Sequence, residues 1–315
     1  MSPGAQTTEP AGREPTTESP APSTDDGVNV IGRFTASTFL VPAAGLIGVF
    51  LIFPAVWTLY LGLTDVRLTG VQAANPQFVG LDNYATALSD PLFYSSLVTT
   101  LVFVLGSAIV GQTILGFFLA WALRGWQSRW RQVIEVLVIL AWIIPGSVVA
   151  FLWVAFLDGS SGTLNTVLPF LGDPEWLLSN PMLSIVVFNT WRGTAFAMLL
   201  FGAALSSVPP SHLETARLAG ASGFQQLRDI VLPTIRGHIL TALLLLSMWT
   251  FNLFTPYLLT GGGPNFATEI LPIYVFREAF QYGRLGFGAA ISLIMLLINL
   301  LIALFYIHVL RDRTR

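Results

Sequence analysis

Six long runs of apolar residues constrain this chain more than any other feature of its sequence. A membrane hydrocarbon core about 30 Å thick is crossed by about 20 apolar residues in helical conformation. Runs of that length lie near residues 37–64, 95–123, 133–157, 182–206, 238–260 and 286–310. Each run is apolar on all faces, whereas a membrane-spanning β-strand alternates between apolar and polar residues. The sequence therefore predicts an all-α polytopic membrane protein with six transmembrane helices.

The composition agrees with this class and excludes several functions. Of the 315 residues, 54% are hydrophobic and 10% are charged, unlike a soluble domain. The absence of Cys excludes disulfides, thiolate metal sites and thiol nucleophiles. The chain also has no Lys, and so no Gly-x-x-x-x-Gly-Lys-Ser/Thr phosphate loop. With a net charge of −2 and no dense basic tract, it is not expected to bind nucleic acid. We therefore expect this chain not to be an enzyme, and any ATP hydrolysis to belong to another chain.

The positions of the arginines predict the orientation of the spans. If the amino terminus is cytoplasmic, eleven arginines fall in inner segments, and only Arg67, Arg277 and Arg284 fall in outer ones. Because cytoplasmic loops are enriched in basic residues, both termini are predicted to be cytoplasmic. Residues 1–33 are rich in Pro, Thr, Ser, Ala and acids and are predicted to be a disordered tail. Residues 34–315 are predicted to form one transmembrane domain.

A polar stretch, SHLETARLAGASGFQQLRDIVLP at 211–233, separates the fourth and fifth apolar runs. Ser211 and Glu214 have the spacing of a capping box, which predicts a helix over about 212–219. Gly220 can end that helix in the left-handed conformation. The first part of the stretch is therefore predicted to be a short helix followed by a sharp turn.

The second part of the stretch is predicted to be another short helix. It begins near Ser222 and stops at Pro233, with Phe224, Leu227 and Val231 on one apolar face. Two short helices on the cytoplasmic side are the result. On these local grounds, an amphipathic element that lies in the lipid headgroup region remains an alternative.

The spacing of residues within this stretch has a known counterpart. Glu214-Thr215-Ala216 is followed after three residues by Gly220 and, nine residues later, by Ile230-Val231-Leu232-Pro233. This pattern resembles the signature Glu-Ala-Ala, three residues, Gly, nine residues, Ile-x-Leu-Pro of permease subunits in binding-protein-dependent ABC importers. Thr215 replaces the first Ala of that signature, and Ala219 replaces the Asp that is usual before the glycine in sugar permeases.

The resemblance covers about residues 38–310 and implies a function for the polar loop, residues 207–237. In this family the loop fits a cleft on a cytoplasmic ATPase subunit and transmits the closure of that subunit to the spans. The implied partners are a second permease subunit in a heterodimer, two ATPase subunits that hold ATP and Mg²⁺, and an extracytoplasmic sugar-binding protein. The implied location is the cytoplasmic membrane of a prokaryote, and no cofactor is expected on this chain. The implied ATPase-coupling residues are Ser211, Glu214, Ala216, Gly220, Ala221, Phe224, Ile230, Leu232 and Pro233.

A second stretch narrows the resemblance. SMWTFNLFTPYLLTGGGP at 247–264, followed by Thr268, is similar to the carbohydrate branch of these permeases, of the maltose, trehalose and glycerol-3-phosphate type. The glycines also give the backbone a tight exit from the fifth span. Between 264 and 285, apolar residues at helical spacing predict a short helix along the outer surface.

Arg192 is the one charge near the middle of a predicted span. A charge in hydrocarbon is costly, so it is expected to have a partner or a function. Three alternatives stay open: pairing with carbonyl groups or with a carboxylate of a partner subunit, a place in a water-filled cavity or gate, and contact with an anionic ligand, namely a substrate phosphate.

Sugars are bound by planar hydrogen-bonding groups and aromatic faces. The fourth and fifth spans offer such groups, and Trp249, Asn252 and, loosely, Tyr257 are predicted to share one helical face. For any single aromatic residue, packing against lipid or core is the more common role. The three histidines, His212, His238 and His308, lack metal-ligand spacing. The substrate-pathway candidates are Asn189, Arg192, Trp249, Asn252, Phe254 and Tyr257, with Gln112 and Asn299 as weaker ones.

These patterns favour a permease subunit of an ATP-driven sugar importer that works by alternating access. The same machine could import a glycerophosphate or another polyol ester. An ion-coupled secondary transporter is a further alternative, but it would need an acid inside a span or broken helices in matched repeats, and the sequence shows neither. A structural scaffold is the remaining alternative, against which the coupling signature argues.

Overall fold

The computed structural model of the protein describes residues 33–125, 129–172 and 174–312. Apart from Arg33, the predicted tail lies outside these residues. The described ranges are helical, with one isolated β-bridge between Thr64 and Phe78. Five helices are long and apolar enough to cross a membrane: Leu40–Gly62, Pro91–Leu123, Pro181–Ser206, Gly223–Phe251 and Leu285–Arg311. The prediction of a helical protein with several spans is confirmed.

Seventeen α-helical segments are present in the described ranges. They are α1 Arg33–Ile47, α2 Phe53–Gly62, α3 Val71–Ala74, α4 Asp82–Ser89, α5 Pro91–Phe103, α6 Thr113–Leu123, α7 Arg129–Ile143, α8 Gly146–Phe156, α9 Thr163–Val167, α10 Trp176–Ser179, α11 Pro181–Ser206, α12 Pro210–Leu218, α13 Gly223–Gln226, α14 Leu232–Phe251, α15 Tyr257–Thr260, α16 Leu271–Phe276 and α17 Leu285–Asp312. Wider π-helical turns at Gly48–Ile52, Val104–Gln112, Leu227–Val231 and Arg277–Gln281 extend or connect these segments. The helix predicted between 264 and 285 is present as α16 and the turn after it, and its place along the outer surface stays a prediction.

The described residues divide into two compact units at the boundary between Pro54 and Ala55. In the first unit, residues 33–54 are helical, and apolar side chains such as Leu46 and Phe50 are exposed, as expected for contact with lipid. The second unit contains the buried core and all the candidate functional residues described below.

The third predicted span, 133–157, is not one continuous helix. It consists of α7 and α8, whose axes meet at an angle of 103° across Ile144 and Pro145. Pro145 has no amide to donate within a helix, and it disfavours helical conformation in the residue before it, so the chain bends here. The prediction of one uninterrupted span over 133–157 is therefore wrong.

The helices of the second and fourth spans approach closely through glycines. A Cβ atom added at Gly106 would be 3.4 Å from Val186, and one at Gly116 would be 2.9 Å from the backbone of Ala197 and in contact with its side chain. Gly111 lies against Thr190 in the same way. These glycines are five residues apart. Because the π-helical turn Val104–Gln112 has more residues per turn than an α-helix, residues at this spacing come closer to the helix face that contacts the fourth span. Small residues of this kind let membrane helices pack backbone to backbone.

Candidate coupling segment and translocation site

The predicted coupling segment begins with α12, Pro210–Leu218. Pro209 is its amino-terminal cap residue, and no side chain caps its first amides. The capping box predicted at Ser211 and Glu214 is therefore wrong, because Pro210 occupies the first helical position and places Ser211 inside the helix. Proline suits that position, since its missing amide would have no helical partner there and its φ angle is already helical.

Gly220 ends α12 in the left-handed conformation, as the sequence predicts, with a φ angle of 81°. The amide of Ala221 donates to the carbonyl of Ala216 at 2.9 Å, and the amide of Gly220 donates to the carbonyl of Arg217 at 3.0 Å. The two bonds form a Schellman motif, which satisfies carbonyl groups at the helix end. Gly220 thus sets the direction in which the chain leaves α12.

A capping box does occur in this segment, one helix later than predicted. The amide of Ser222 donates to Oε1 of Gln225 at 2.7 Å, and the amide of Gln225 donates to Oγ of Ser222 at 3.3 Å. This reciprocal pair starts α13 at Gly223 and confirms the predicted helix start near Ser222.

The second helix does not stop at Pro233, as predicted, but continues as one apolar helix over Gly223–Phe251. The π-helical turn Leu227–Val231 comes just before the proline, and the amide of Leu232 donates to the carbonyl at the start of that turn. Because the turn is wider than an α-helical turn, the helix accommodates a residue without an amide. The fifth span therefore begins earlier than the predicted 238–260, and the coupling segment runs directly into it.

Exposed apolar side chains lie on both sides of the turn at Gly220. Leu218 is 91% exposed and Phe224 is 71% exposed, whereas Val231 is buried. The predicted apolar face shared by Phe224 and Val231 is therefore wrong, because the wider turn between them changes their relative direction. Exposed apolar groups of this size suit contact with a partner. The other proposed coupling residues are exposed (Ser211, Glu214, Leu232, Pro233) or half-buried (Ala216, Ala221, Ile230).

Arg192 lies in a cleft between helices of the third, fourth and fifth predicted spans. Its Nε atom is buried and has no hydrogen-bond partner among the described residues. The guanidinium lies against Gly146, the first residue of α8, where a Cβ atom would be 3.0 Å from Nη1 of Arg192. The cation therefore packs against the break in the third span. The cleft, called the Arg192 cleft below, is further lined by Gln112, Trp142, Asn189, Gly193, Phe196, Leu246 and Trp249.

Three aromatic rings from three helices form one wall of the Arg192 cleft. Trp142 stacks on Phe196 with ring centroids 5.5 Å apart and an angle of 11° between the planes. Trp249 lies 6.3 Å from Trp142 and 6.2 Å from Phe196 and is 54% exposed. The structure thus brings Trp249 and Arg192 to the same cleft. Trp142 and Phe196 were not singled out from the sequence, because each lies in an apolar run and only long-range packing brings them together.

Asn189 lines this cleft but uses its side chain within the protein. Its Nδ2 donates to Oγ of Ser107 at 2.8 Å and to Oγ1 of Thr250 at 3.3 Å, and its backbone carbonyl accepts from Gln112 at 3.0 Å. The side chain is buried. These bonds join the second, fourth and fifth spans, and the substrate contact of Asn189 remains a prediction.

The remaining substrate candidates, Asn252, Phe254 and Tyr257, do not line the Arg192 cleft. Helix α14 ends at Phe251, and Tyr257 starts the separate helix α15. Tyr257 therefore does not share a helical face with Trp249 and Asn252, and that part of the prediction is wrong. Pro256 explains the interruption, since it cannot donate within a helix and restricts the residue before it. Phe254 stacks on Tyr257 with ring centroids 5.0 Å apart.

Two buried glutamates hold the segment after the glycine turn. Glu269 pairs with Arg277 at 2.7 Å, and Arg277 also donates to the carbonyl of Gly261 at 3.1 Å. The bond to Glu269 raises the pKa of Arg277. Glu278 pairs with Arg284, and burial raises the pKa of Glu278 despite the opposing guanidinium. These pairs were missed from the sequence because nothing local indicates that the acids are buried.

No group of three or more His, Cys, Asp or Glu side chains that could hold a metal ion occurs in the described ranges. His212 and His238 are exposed. The candidate site is therefore built from helix ends, aromatic rings, amides and one half-buried cation.

The second half of the chain carries a recognisable family pattern. A profile of the family described as the inner membrane component of binding-protein-dependent transport systems matches residues 112–315. A probable ABC transporter permease protein of Pyrococcus horikoshii is 33% identical over 277 residues, 86% of this chain and 93% of that protein. The chain belongs to this permease family. It is a multi-pass membrane protein and not the catalytic subunit of a transporter.

Two other relatives are, by their names, permeases of carbohydrate transport systems. This permease is 31% identical over 280 residues to the trehalose/maltose transport system permease protein MalF of Thermococcus litoralis, covering 87% of the permease and 92% of MalF. It is 27% identical over 294 residues to the sulfoquinovosyl glycerol transport system permease protein SmoG of Agrobacterium fabrum. The match covers 89% of the permease and 92% of SmoG. The fold of this permease matches that of a chain in a bacterial ABC transporter involved in the import of the acidic polysaccharide alginate, with a TM-score of 0.75 and 23% identity. The match covers 90% of the permease and 96% of that chain.

Proposed function

We propose that this chain is the permease subunit of an ATP-driven sugar importer. It forms the translocation pathway with a second permease subunit and receives its cargo from an extracytoplasmic binding protein. Two cytoplasmic ATPase subunits, which hold ATP and Mg²⁺, dock on residues 207–237. Both termini lie on the cytoplasmic side, consistent with the distribution of arginines.

The observation that carries this proposal is the continuity between the coupling segment and the fifth span. Helix α12 ends in the Schellman motif at Gly220, and the capping box at Ser222 then starts a helix that runs to Phe251. Force applied to the exposed residues around Gly220 therefore reaches Trp249 through a single helix. A flexible linker at this place would lose the displacement, whereas a helix transmits it.

The expected cycle is alternating access. ATP binding closes the ATPase subunits and draws the segment around Gly220 inwards. The fifth span moves with it and changes the position of Trp249 relative to Trp142 and Phe196, so that the Arg192 cleft opens outwards and accepts the cargo. ATP hydrolysis releases the segment and returns the cleft to the inward-facing state.

A sugar is the cargo that the Arg192 cleft favours. Aromatic rings suit the C–H faces of a sugar ring, and the guanidinium and amide groups suit its hydroxyl groups, which would be costly to bury without partners. The named cargo of the two carbohydrate relatives supports the same class.

Co-purification followed by transport measurement tests the proposal. The tagged chain, isolated gently from native membranes, is expected to bring a P-loop ATPase and a second six-span permease, both identified by mass spectrometry. Reconstituted into vesicles with its binding protein, this complex should take up a labelled saccharide only when ATP is present on the ATPase side. Uptake that requires an ion gradient and no ATP would instead establish the ion-coupled alternative.

Arg192 favours a second candidate cargo, a saccharide or polyol ester with an acidic group. Its Nε atom lacks a partner among the described residues, and its guanidinium lies beside aromatic rings in the cleft. A carboxylate, sulfonate or phosphate would satisfy both the charge and the free donor. The relative SmoG has by its name a sulfoquinovosyl glycerol as cargo, which supports an acidic sugar.

The variants Arg192→Gln and Arg192→Lys distinguish the two cargo classes. Hydrogen bonds to charged groups contribute about 1.5–3 kcal/mol, so Arg192→Gln should weaken binding of an acidic cargo by about tenfold or more. Arg192→Lys keeps the charge and should restore part of that loss. Measured Kd values for maltose and digalacturonate on the purified complex provide the comparison. An equal effect on both sugars would contradict recognition of an acidic group.

A further inference from the structure

A second groove lies next to the Arg192 cleft, and we call it the outer groove. Among its lining residues are Asn252, Phe254, Phe276, Phe280, Ser292 and Asn299. Its volume is about 440 Å³, within the range of about 300–1,000 Å³ that is usual for small-molecule sites. Among the described residues, no side chain lines both spaces. It lies between the end of α14, α16 and α17, on the side that the arginine distribution predicts to be extracytoplasmic.

A pair of amides forms the polar part of the outer groove. Nδ2 of Asn252 lies 3.3 Å from Oδ1 of Asn299, and Nδ2 of Asn299 lies 3.2 Å from Oδ1 of Asn252. Each Nδ2 also donates to a carbonyl one turn earlier, of Met248 at 2.8 Å and of Met295 at 3.2 Å. The amide N–H groups are therefore used within the protein. Each amide oxygen has two lone pairs and accepts one bond here, so the pair can still accept bonds from hydroxyl groups of a ligand.

Aromatic rings form the other part of the groove. The ring centroids of Phe254 and Phe276 are 5.0 Å apart, and those of Phe276 and Phe280 are 5.5 Å apart. Phe280 is 58% exposed, so part of its ring is free for a ligand. A row of rings beside an amide pair has the chemistry that binds a sugar, with apolar faces for the C–H groups and acceptors for the hydroxyl groups.

The amides argue against a lipid chain as the occupant of the outer groove. Asn252 is exposed, and an amide exposed to hydrocarbon without a full set of partners is costly. An acyl chain would supply no hydroxyl donor to the free lone pairs of Asn252 and Asn299, whereas a sugar would supply several. The groove therefore fits a polyhydroxylated ligand better than lipid.

The outer groove and the Arg192 cleft adjoin each other along the fifth span. Trp249 lines the cleft, and Asn252 lines the groove three residues further on. Three helical residues correspond to a rise of about 4.5 Å, and residues at this spacing lie on the same helical face. That distance is comparable with the length of one sugar unit. In this structure the Arg192 cleft has a volume of only about 10 Å³, so a linear saccharide places neighbouring rings at the two positions when the cleft opens outwards.

We propose that the outer groove is a second carbohydrate subsite, so that the cargo is an oligosaccharide of at least two sugar units. One unit binds at Asn252, Asn299 and Phe280, and the next binds beside Trp249. This inference rests on the proposed sugar-importer function and adds the length of the cargo to it.

Chain-length dependence of binding tests this assignment on the purified importer complex with its native partners. The probes are glucose, maltose and maltotriose as a neutral series, and galacturonate with its dimer and trimer as an acidic series. The Kd of each is measured by the change in tryptophan fluorescence. Phe280→Ala removes a ring of the groove, and Phe280→Tyr retains one. Phe170→Ala is the matched control, because Phe170 is 80% exposed and does not line the groove.

In one of the two series, the trimer is expected to bind more tightly than the monomer to the unaltered complex. An aromatic contact is worth about 0.5–1.5 kcal/mol, so Phe280→Ala should raise the ratio of trimer Kd to monomer Kd by about two- to twelvefold. Phe280→Tyr and Phe170→Ala should leave the ratio within about twofold of its original value. Monomer and trimer that bind equally, or a Phe280→Ala variant with an unchanged ratio, would overturn the second subsite. A complex that neither binds any saccharide nor transports one with ATP would contradict the proposed function itself, which separates the two failures.

Discussion

Replacing Gly220 with Val is expected to reduce ATP-dependent uptake by about tenfold or more while the protein still inserts into the membrane. Gly220 has a φ of 81°, a conformation that costs an L-residue about 1–2 kcal/mol and a β-branched residue more. No atom lies within 4 Å of an added Cβ, so the cost comes from the backbone and not from a clash. The Schellman motif would be lost, and the chain would leave α12 in another direction. Uptake and ATP hydrolysis by reconstituted vesicles measure the effect.

Two further variants separate this backbone effect from a general loss of the segment. Gly223→Val introduces the same side chain three residues away, where φ is not positive and no atom is within 4 Å, so it should retain most of the uptake. Gly220→Asn should have an intermediate effect, because Asn tolerates the left-handed conformation better than other residues. Normal uptake in Gly220→Val would mean that the turn does not transmit ATPase closure.

The largest effect on stability is expected from Gly116→Val. A Cβ atom at Gly116 would contact the side chain of Ala197 and would be 2.9 Å from backbone atoms of Ala197 and Met198. The backbone of α11 cannot yield as a flexible side chain does, so the second and fourth spans must separate. Overpacking of this kind costs about 1–3 kcal/mol, which corresponds to a fall of about 2–12 °C in the midpoint of thermal unfolding. Size-exclusion chromatography of the heated protein in detergent measures that midpoint.

Gly202→Val is the matched control for this variant. Gly202 lies on α11, the helix that Gly116 faces, and no atom is within 4 Å of its added Cβ. The change in helix propensity is the same in both variants. The midpoint for Gly202→Val should therefore stay close to that of the unaltered protein. Equal midpoints for the two variants would show that the approach of the two helices is looser than the structure indicates.

The parts of the fold that depend on local chemistry could be predicted from the sequence. The long apolar runs predicted four of the membrane-spanning helices to within a few residues at most ends, because hydropathy over about 20 residues is a local property. Gly220 was predicted in the left-handed conformation, since few other residues adopt it readily. The helix start at Ser222 was predicted because Ser, Thr, Asn and Asp are common cap residues.

The parts that depend on packing could not be predicted in this way. The π-helical turn before Pro233 has no sequence signature, so the proline indicated a helix end that does not exist. Trp142 and Phe196 meet Trp249 only because three helices converge. The bend at Pro145 illustrates an intermediate case, because a proline within an apolar run could have indicated it but the length of the run favoured a single span.

The helix Gly223–Phe251 fixes a rotational phase between the proposed coupling surface and the proposed cargo site. Successive residues of an α-helix are turned by about 100° around its axis. Inserting or deleting one residue between the two ends would therefore turn Trp249 out of the Arg192 cleft without altering its chemistry, and a change of seven residues would be needed to restore its direction approximately. We expect substitutions between the two ends of this helix to disturb that phase less than changes in its length do. The number of residues from Gly223 to Trp249 is thus itself a predicted functional constraint, beside the identity of the residues at either end.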